Sequence, residues 1–300
     1  MLISRLLLLF TVIIWGWTFV ATKVCLQYVN PIELLGLRMI IAMPVLLAIA
    51  GYTSRPSRTA SKRISLRFPG SKKRILLASA IITTHFLVQI TGIKYTSATN
   101  TGWIVSLTPL VVAVLAFFIL KERLRRNILF GIAVASAGIL LLVSKGKLTD
   151  IGWLSSYGDW LVLGSAHTWA LYTIVTRDIS RTHDPVAVTI AVLLPSLILA
   201  VGIMLATSDW SIFLKLPRDA MFALLFLGLF GTALGHWFWQ MGVARIGAAE
   251  AAIFLYLEPV ATTALAVPYL HESFGVFTAL GGALVIFGVW LAQRRGRNKV

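Results

Sequence analysis

Apolar runs of membrane-span length alternate with short polar breaks along nearly the whole chain. Ten are read: 6–22, 31–51, 75–93, 98–120 and 127–144, then 159–177, 186–206, 220–243, 247–270 and 275–293. Runs of roughly 17 to 25 apolar residues can cross a hydrocarbon core as helices, which satisfy their own backbone polar groups. The pattern predicts an all-α integral membrane protein with ten transmembrane helices. The first run has the length of a secretory leader. It lacks a convincing small-residue cleavage site, and Trp15 and Lys23 have partners in an internal repeat, so it is read as a mature helix.

That repeat is visible when the chain is slid against itself. A shift of 150 pairs Gly92 with Gly242, Ala98 with Ala248, Pro109 with Pro259, Glu122 with Glu272, Gly131 with Gly281 and Gly138 with Gly288. Upstream, a shift of 154 pairs Trp15 with Trp169 and Lys23 with Arg177. Each half holds five runs, an odd number, so the second half must enter the bilayer from the opposite side. The expected plan is two inverted five-helix repeats, 1–146 and 147–300, an arrangement common among secondary transporters.

Composition agrees with a membrane protein: 58% of residues are hydrophobic and 13% charged, against nearer half and a quarter in soluble domains. A net charge of +16 raises the question of nucleic acid, but its distribution answers it. With the N-terminus inside, twenty of the 27 basic residues fall in cytoplasmic segments, eight of them between Arg55 and Arg74. This is the positive-inside bias, and it sets both termini in the cytoplasm. Membrane orientation thus explains the basicity, and no nucleic-acid partner is expected. The Arg55–Arg74 linker is too short and too charged for a soluble domain and could touch anionic headgroups. The single cysteine, Cys25, excludes an intrachain disulfide and offers no metal cluster.

Small residues at Gly231 and Gly235, at Ala135 and Gly138, and at Gly281 and Gly288 leave flat faces for close helix packing. Pro109 and Pro259 fall near the middle of long runs and predict repeat-related kinks, either around a cavity or as simple curvature. Trp153, Trp160, Trp210 and Trp290 lie near span ends, where an interfacial belt suffices. Trp15, Trp17, Trp103, Trp169, Trp237 and Trp239 lie deeper and suggest an aromatic pocket.

Ionisable groups at bilayer depth cost roughly 2.5 to 3.5 kcal/mol each and are candidates for function. Glu258 sits mid-span directly before Pro259, and its repeat partner is Thr108; Glu250 lies eight residues earlier, and its partner is Asn100. Helical geometry puts the two acids about 12 Å apart along the axis on roughly one side. They are read as groups for proton exchange or charge binding, or else as structural partners of a buried cation or a cap. His85 and Gln89, four apart on span three, are echoed by His236 and Gln240 on span eight, so each pair shares a helix face. These pairs either flank a cavity or join helices by hydrogen bonds. His167 with Trp169 and Tyr172 is a weaker cluster. Arg38 is read as structural, paired with Glu33 or snorkelling, and Lys23 is read as structural too. There is no phosphate-binding loop, no metal-hydrolase spacing and no G-x-S-x-G elbow.

The stretch Trp15-Gly16-Trp17-Thr18-Phe19-Val20, Lys23, Leu37-Arg38, Gly92 with Thr96-Ser97-Ala98, the Pro109 helix and Lys121-Glu122-Arg123-Leu124 resemble EamA-type members of the drug/metabolite transporter superfamily. Gly158-Asp159-Trp160, Trp169-Ala170-Leu171-Tyr172, Gly231-Thr232-Ala233-Leu234, Leu257-Glu258-Pro259-Val260 and Glu272 resemble a second such unit; His271 replaces the lysine of the first. The resemblance implies a central cavity walled by spans one, three, four, six, eight and nine, and export of amino acids or amphipathic metabolites without ATP. Trp15, Trp103, Trp169, Tyr172, Trp239 and Tyr256 would then supply stacking and cation–π contacts. His85, Gln89, Asn100, His236 and Gln240 would supply hydrogen bonds, and Glu258, with Glu250, the charge. The expectation is a plasma (inner) membrane exporter, monomer or homodimer, with a small-molecule substrate, protons as a candidate coupling ion and no cofactor or metal. A multidrug or organic-cation exporter is the alternative; a lipid-modifying membrane enzyme or a non-transporting sensor would be a different class.

Overall fold

In a computed structural model of the chain, residues 2–53, 72–122, 126–144, 156–270 and 276–293 are described, and every regular element among them is helical. The expectations on 55–71, Trp153, His271, Glu272 and the basic residues from Arg294 onward lie outside the described residues. The helices are α1 (Leu2–Cys25), α2 (Pro31–Thr53), α3 (Lys72–Tyr95), α4 (Ala98–Val105), α5 (Thr108–Phe118), α6 (Arg126–Ser144), α7 (Tyr157–Thr182) and α8 (Pro185–Thr207). After a short α9 (Ser211–Leu214) come α10 (Arg218–Phe226), a π-helical turn (Leu227–Leu234) and α11 (Gly235–Ile246). The last stretch holds α12 (Ala248–Ala252), a 3-10 turn (Ile253–Leu257), α13 (Glu258–Leu270) and α14 (Val276–Gln293).

Seven helical stretches among the described residues are long and apolar enough to cross a membrane: α1, α2, α3, Ala98–Phe118, α8, Arg218–Ile246 and Ala248–Tyr269. The other three expected spans are helical too. Two contain shorter apolar helices, Arg126–Leu141 and Ala279–Ala292. The third, α7, is 26 residues long but carries Asp159, Arg177, Asp178 and Arg181, which makes it more polar than a simple span. Large apolar side chains such as Leu47, Phe118, Phe130, Phe222 and Ile286 face outward. Such a surface belongs in lipid, and the chain is a multi-pass membrane protein.

Local sequence sets the helix starts. Asn30 Oδ1 accepts from the backbone N–H of Glu33 at 3.0 Å while Glu33 Oε2 accepts from Asn30 N–H at 2.8 Å, closing a reciprocal cap on α2. Ser156 and Asp159 cap α7 in the same way, and Asp184 caps α8 ahead of Pro185. Pro109 and Pro259 each mark a break rather than a smooth kink, whereas Pro44 and Pro195 sit inside the continuous α2 and α8. α4 ends at Val105 and α5 restarts at Thr108, next to Pro109; the 3-10 turn ends at Leu257 and α13 restarts at Glu258, next to Pro259. Proline has no N–H for the preceding turn, so the ladder is interrupted one turn upstream.

Small residues bring helices together. A Cβ on Gly131 would lie 2.6 Å from the Gly288 carbonyl oxygen, and one on Gly138 2.7 Å from that of Gly281, so α6 and α14 meet backbone to backbone. α3 packs on α7 where Gly92 faces Val162, and α11 packs on α1 where Gly242 faces Leu8. α2 lies against α8 and against the π-helical turn, with Gly228 on Ile41.

Candidate functional site

Helices α1, α2, α3, α5, α7, α11 and α13 converge on a cavity of about 50 Å³ near the middle of the bundle. α1 contributes Trp15, Thr18 and Phe19, and α2 contributes Arg38. His85, Phe86 and Gln89 come from α3, Thr108 from α5, Trp169 from α7, His236 from α11 and Glu258 from the start of α13. The two broken stretches therefore deliver the repeat-related pair Thr108 and Glu258 to one space.

One wall is aromatic. Trp15 and Trp169 meet edge to face at 4.9 Å between ring centroids, and His236 packs 5.4 Å from Trp15 and 5.6 Å from Trp169. His85 lies 5.0 Å from Trp169. Trp15 Nε1 donates to the Gly231 carbonyl at 2.9 Å, and the absence of a side chain at Gly235 makes room for that indole. His85 Nδ1 lies 3.0 Å from the Ser165 carbonyl and His236 Nδ1 3.0 Å from that of Thr232. A carbonyl only accepts, so each Nδ1 carries a proton and donates. Among the described residues the buried His236 Nε2 and Trp169 Nε1 have no hydrogen-bond partner.

The other wall is charged. Arg38 is 4% exposed, and its Nε donates to Thr232 Oγ1 at 2.8 Å. Its guanidinium carbon sits 4.7 Å above the Phe86 ring. The expected pairing with Glu33 is corrected: Glu33 is occupied in the α2 cap, and Arg38 turns inward to the π-helical turn. Lys23 has a structural role, donating to the carbonyls of Ile93 and Thr96 at 2.9 and 2.7 Å.

Of the candidates read from sequence, Trp15, His85, Gln89, Trp169, His236 and Glu258 meet at the cavity. Trp239 and Tyr172 are fully buried behind it, in ring contact with Trp169. Gln240 shares its helix face with His236 but lies one turn deeper. Its Oε1 accepts from Ser180 Oγ at 2.6 Å, and its Nε2 donates to Tyr172 Oη at 2.6 Å. Asn100 is elsewhere, donating to Asp159 Oδ1 at 2.6 Å near the end of the bundle where α3 finishes. Trp103 and Tyr256 belong to the separate core between α6 and α14, where Tyr256 Oη shares a 2.9 Å hydrogen bond with Ser136. His167 is exposed and does not join Trp169.

Glu250 does not share a side with Glu258. The intervening 3-10 turn advances about 120° per residue instead of about 100°, so the phase carried through an unbroken helix is lost. Glu250 instead pairs with Arg5 at 2.6 Å. With Glu122, Arg177, Arg181 and Arg245 it lines a second hollow of about 310 Å³ at the end where α1 begins. Glu122 there accepts from the backbone N–H groups of Ala248 and Ala249 at the start of α12 and pairs with Arg177 at 3.2 Å. Phe86 carried no signal in the sequence; Thr18 and Arg38 stood only within the stretches that resemble the family, and Arg38 also as a buried cation on span two.

Comparison with known proteins adds to this geometry. The model of the EamA-like transporter family matches residues 2–144 and 156–293. The chain is 28% identical over 279 residues to the uncharacterized transporter YyaM of Bacillus subtilis, covering 93% of this chain and 89% of that one. It is 25% identical over 303 residues to a protein of Salmonella typhimurium named "Probable amino-acid metabolite efflux pump", covering 95% and 93% of the two chains. A solved crystal structure has the same fold with a TM-score of 0.74 at 20% identity, over 97% of this chain and 96% of that one.

Proposed function

Because this chain belongs to the EamA-like transporter family, we propose that it is a secondary exporter of amino acids or closely related amphipathic metabolites. It is a transporter rather than an enzyme, and its site is the cavity where the two halves of the chain meet. It works by alternating access without ATP, in the plasma membrane, with ten spans and both termini in the cytoplasm. The observation that carries this reading is the Glu258 carboxylate, which is 6% exposed, faces the cavity beside Trp15 and Trp169, and has no hydrogen-bond or ion-pair partner among the described residues. A lone acid in that place suits a substrate ammonium or a coupling proton.

Repeat-related contacts support the inverted plan. Gly131 meets Gly288 as Gly138 meets Gly281, and Gly92 meets Val162 as Gly242 meets Leu8. Each contact maps onto its partner under the shifts of 150 and 154 found in the sequence, as a two-fold axis in the membrane plane requires. The positive-inside bias supports the orientation. The printed name of the Salmonella relative supports the substrate class.

Counterflow in proteoliposomes across a panel of amino acids, with and without an imposed pH gradient, tests the function. Saturable exchange of at least one amino acid is expected, and exchange of none would end the reading. Glu258 in an aromatic surround also favours an organic-cation exporter. Exchange of lipophilic cations with no exchange of amino acids would select that alternative.

A further inference from the structure

A buried base and a buried acid face the same small cavity without touching each other. Arg38 is 4% exposed and Glu258 6% exposed, both line the cavity, and no ion pair joins them. Arg38 is fastened from behind: its Nε is engaged by Thr232, and one face of its plane lies over Phe86. That leaves its two terminal amino groups without hydrogen-bond partners among the described residues, on the side of the cavity. An isolated charge of either sign is costly at bilayer depth, and a direct pair would have been the cheaper arrangement. Here the pair is held open.

We propose that the cavity is a split-charge site for the head group of a zwitterion, with the ligand carboxylate on the Arg38 fork and the ligand ammonium on Glu258. The planar guanidinium matches two carboxylate oxygens in a way a lysine does not. Glu258 lines the same cavity and is left for the amine. At about 50 Å³ the space holds about four waters, the bulk of an ammonium and a carboxylate on one carbon. Trp15, Phe19 and Trp169 line the same space, so a ligand side chain longer than a methyl must push these rings aside. This inference rests on the amino-acid reading above and narrows it: a ligand with only one of the two charges leaves the other wall unpaired. It also gives Arg38, not an acid, the task of telling an amino acid from an amine.

The test is calorimetric titration of the purified full chain in detergent, paired with counterflow. Three probe series are used, built on alanine, leucine and phenylalanine; each comprises the amino acid, its amide, the decarboxylated amine and the acid lacking the amino group. In at least one series the amino acid should bind at least about tenfold tighter than either single-charge analogue. Arg38→Gln should reduce its affinity to that of the amide while leaving the amine unchanged, and Glu258→Gln should reduce it to that of the acid. If wild type binds no member of any series, or if Arg38→Gln keeps the advantage of the amino acid, the site is not a zwitterion site. Should Arg38→Gln not fold, Arg38→Lys decides: losing the fork must cut the preference at least about threefold, and an unchanged preference overturns the proposal. The expected binding pattern without counterflow would preserve the site and remove the exporter. Counterflow of amino acids with a preference indifferent to Arg38 would do the reverse.

Discussion

Arg38 and Thr232 are joined by a 2.8 Å hydrogen bond that crosses from α2 to the π-helical turn. Thr232 Oγ1 in turn donates to the Leu227 carbonyl at 2.8 Å, five residues back, so the hydroxyl is oriented by the wide turn itself. The direction of the guanidinium in the cavity is therefore set by an irregularity in a neighbouring helix.

Thr232→Val keeps the shape and removes that acceptor. A buried charged donor left short costs about 1–3 kcal/mol. Thermal unfolding in detergent should show a lowered midpoint, and half-saturation in counterflow should rise as the guanidinium loses its fixed direction.

Glu258→Gln removes an ionisable group that has no protein partner in this conformation. An unpartnered acid at that depth is costly to hold, so the unfolding midpoint should hold or rise. Counterflow should nonetheless fall by at least about tenfold, a barrier change of about 1.4 kcal/mol. A more stable protein with reduced flux would separate a working carboxylate from a scaffolding one. A destabilised protein would argue that the acid holds the bundle together.

How far the sequence reached depends on helix regularity. His85 and His236 echo each other across the repeat on regular helices, and both reach the cavity. Pro109 and Pro259 announced the interruptions, because a missing N–H is a local property of one residue. Tyr256 and Glu250 went astray for a different reason. The Ile253–Leu257 turn changes the angular advance per residue; Pro259 marks where the ladder is interrupted, but not that the turn before it tightens to 3-10 geometry. Asn100 was claimed by Asp159, a residue 59 positions away. The Arg38 site was hidden because it needs α2 laid across the Leu227–Leu234 turn, a contact between residues 194 apart.

Gln240 ties α11 to α7 below the cavity through Tyr172 and Ser180, and both partners are buried. Under the alternating access proposed above, this tie is a candidate for the layer that opens. Gln240→Ala should lower the unfolding midpoint, at a cost of about 1–3 kcal/mol for the stranded hydroxyls. It should also speed labelling of a Thr173→Cys reporter by a membrane-impermeant thiol reagent, in a Cys25→Ala background. Thr173 is fully buried and its hydroxyl has no partner among the described residues, so the reporter itself disturbs little. Unchanged labelling would mean that this layer is not part of the gate.

A Cβ on Gly288 would lie 2.6 Å from the backbone nitrogen of Ala135. Gly288→Val should therefore force α6 and α14 apart, costing about 1–3 kcal/mol and reducing the folded yield on size-exclusion chromatography. Substrate affinity of the folded fraction should not change, since neither helix lines the cavity. Ile286→Val, on the outward face of the same helix, is the matched control.

The π-helical turn has a consequence for chain length. It accommodates more residues per turn than the α-helix on either side, so deleting one residue between Leu227 and Leu234 would let it relax to ordinary α geometry. The α-helical residues left would carry the chain through nearly the angle that the wider turn covers now, so His236, Trp239 and Gln240 would keep roughly their facing. What would change is the turn itself: the Thr232 hydroxyl that anchors Arg38 reaches five residues back to the Leu227 carbonyl, and that reach belongs to the wide geometry. One surplus residue in Leu227–Leu234 thus aims the guanidinium into the cavity.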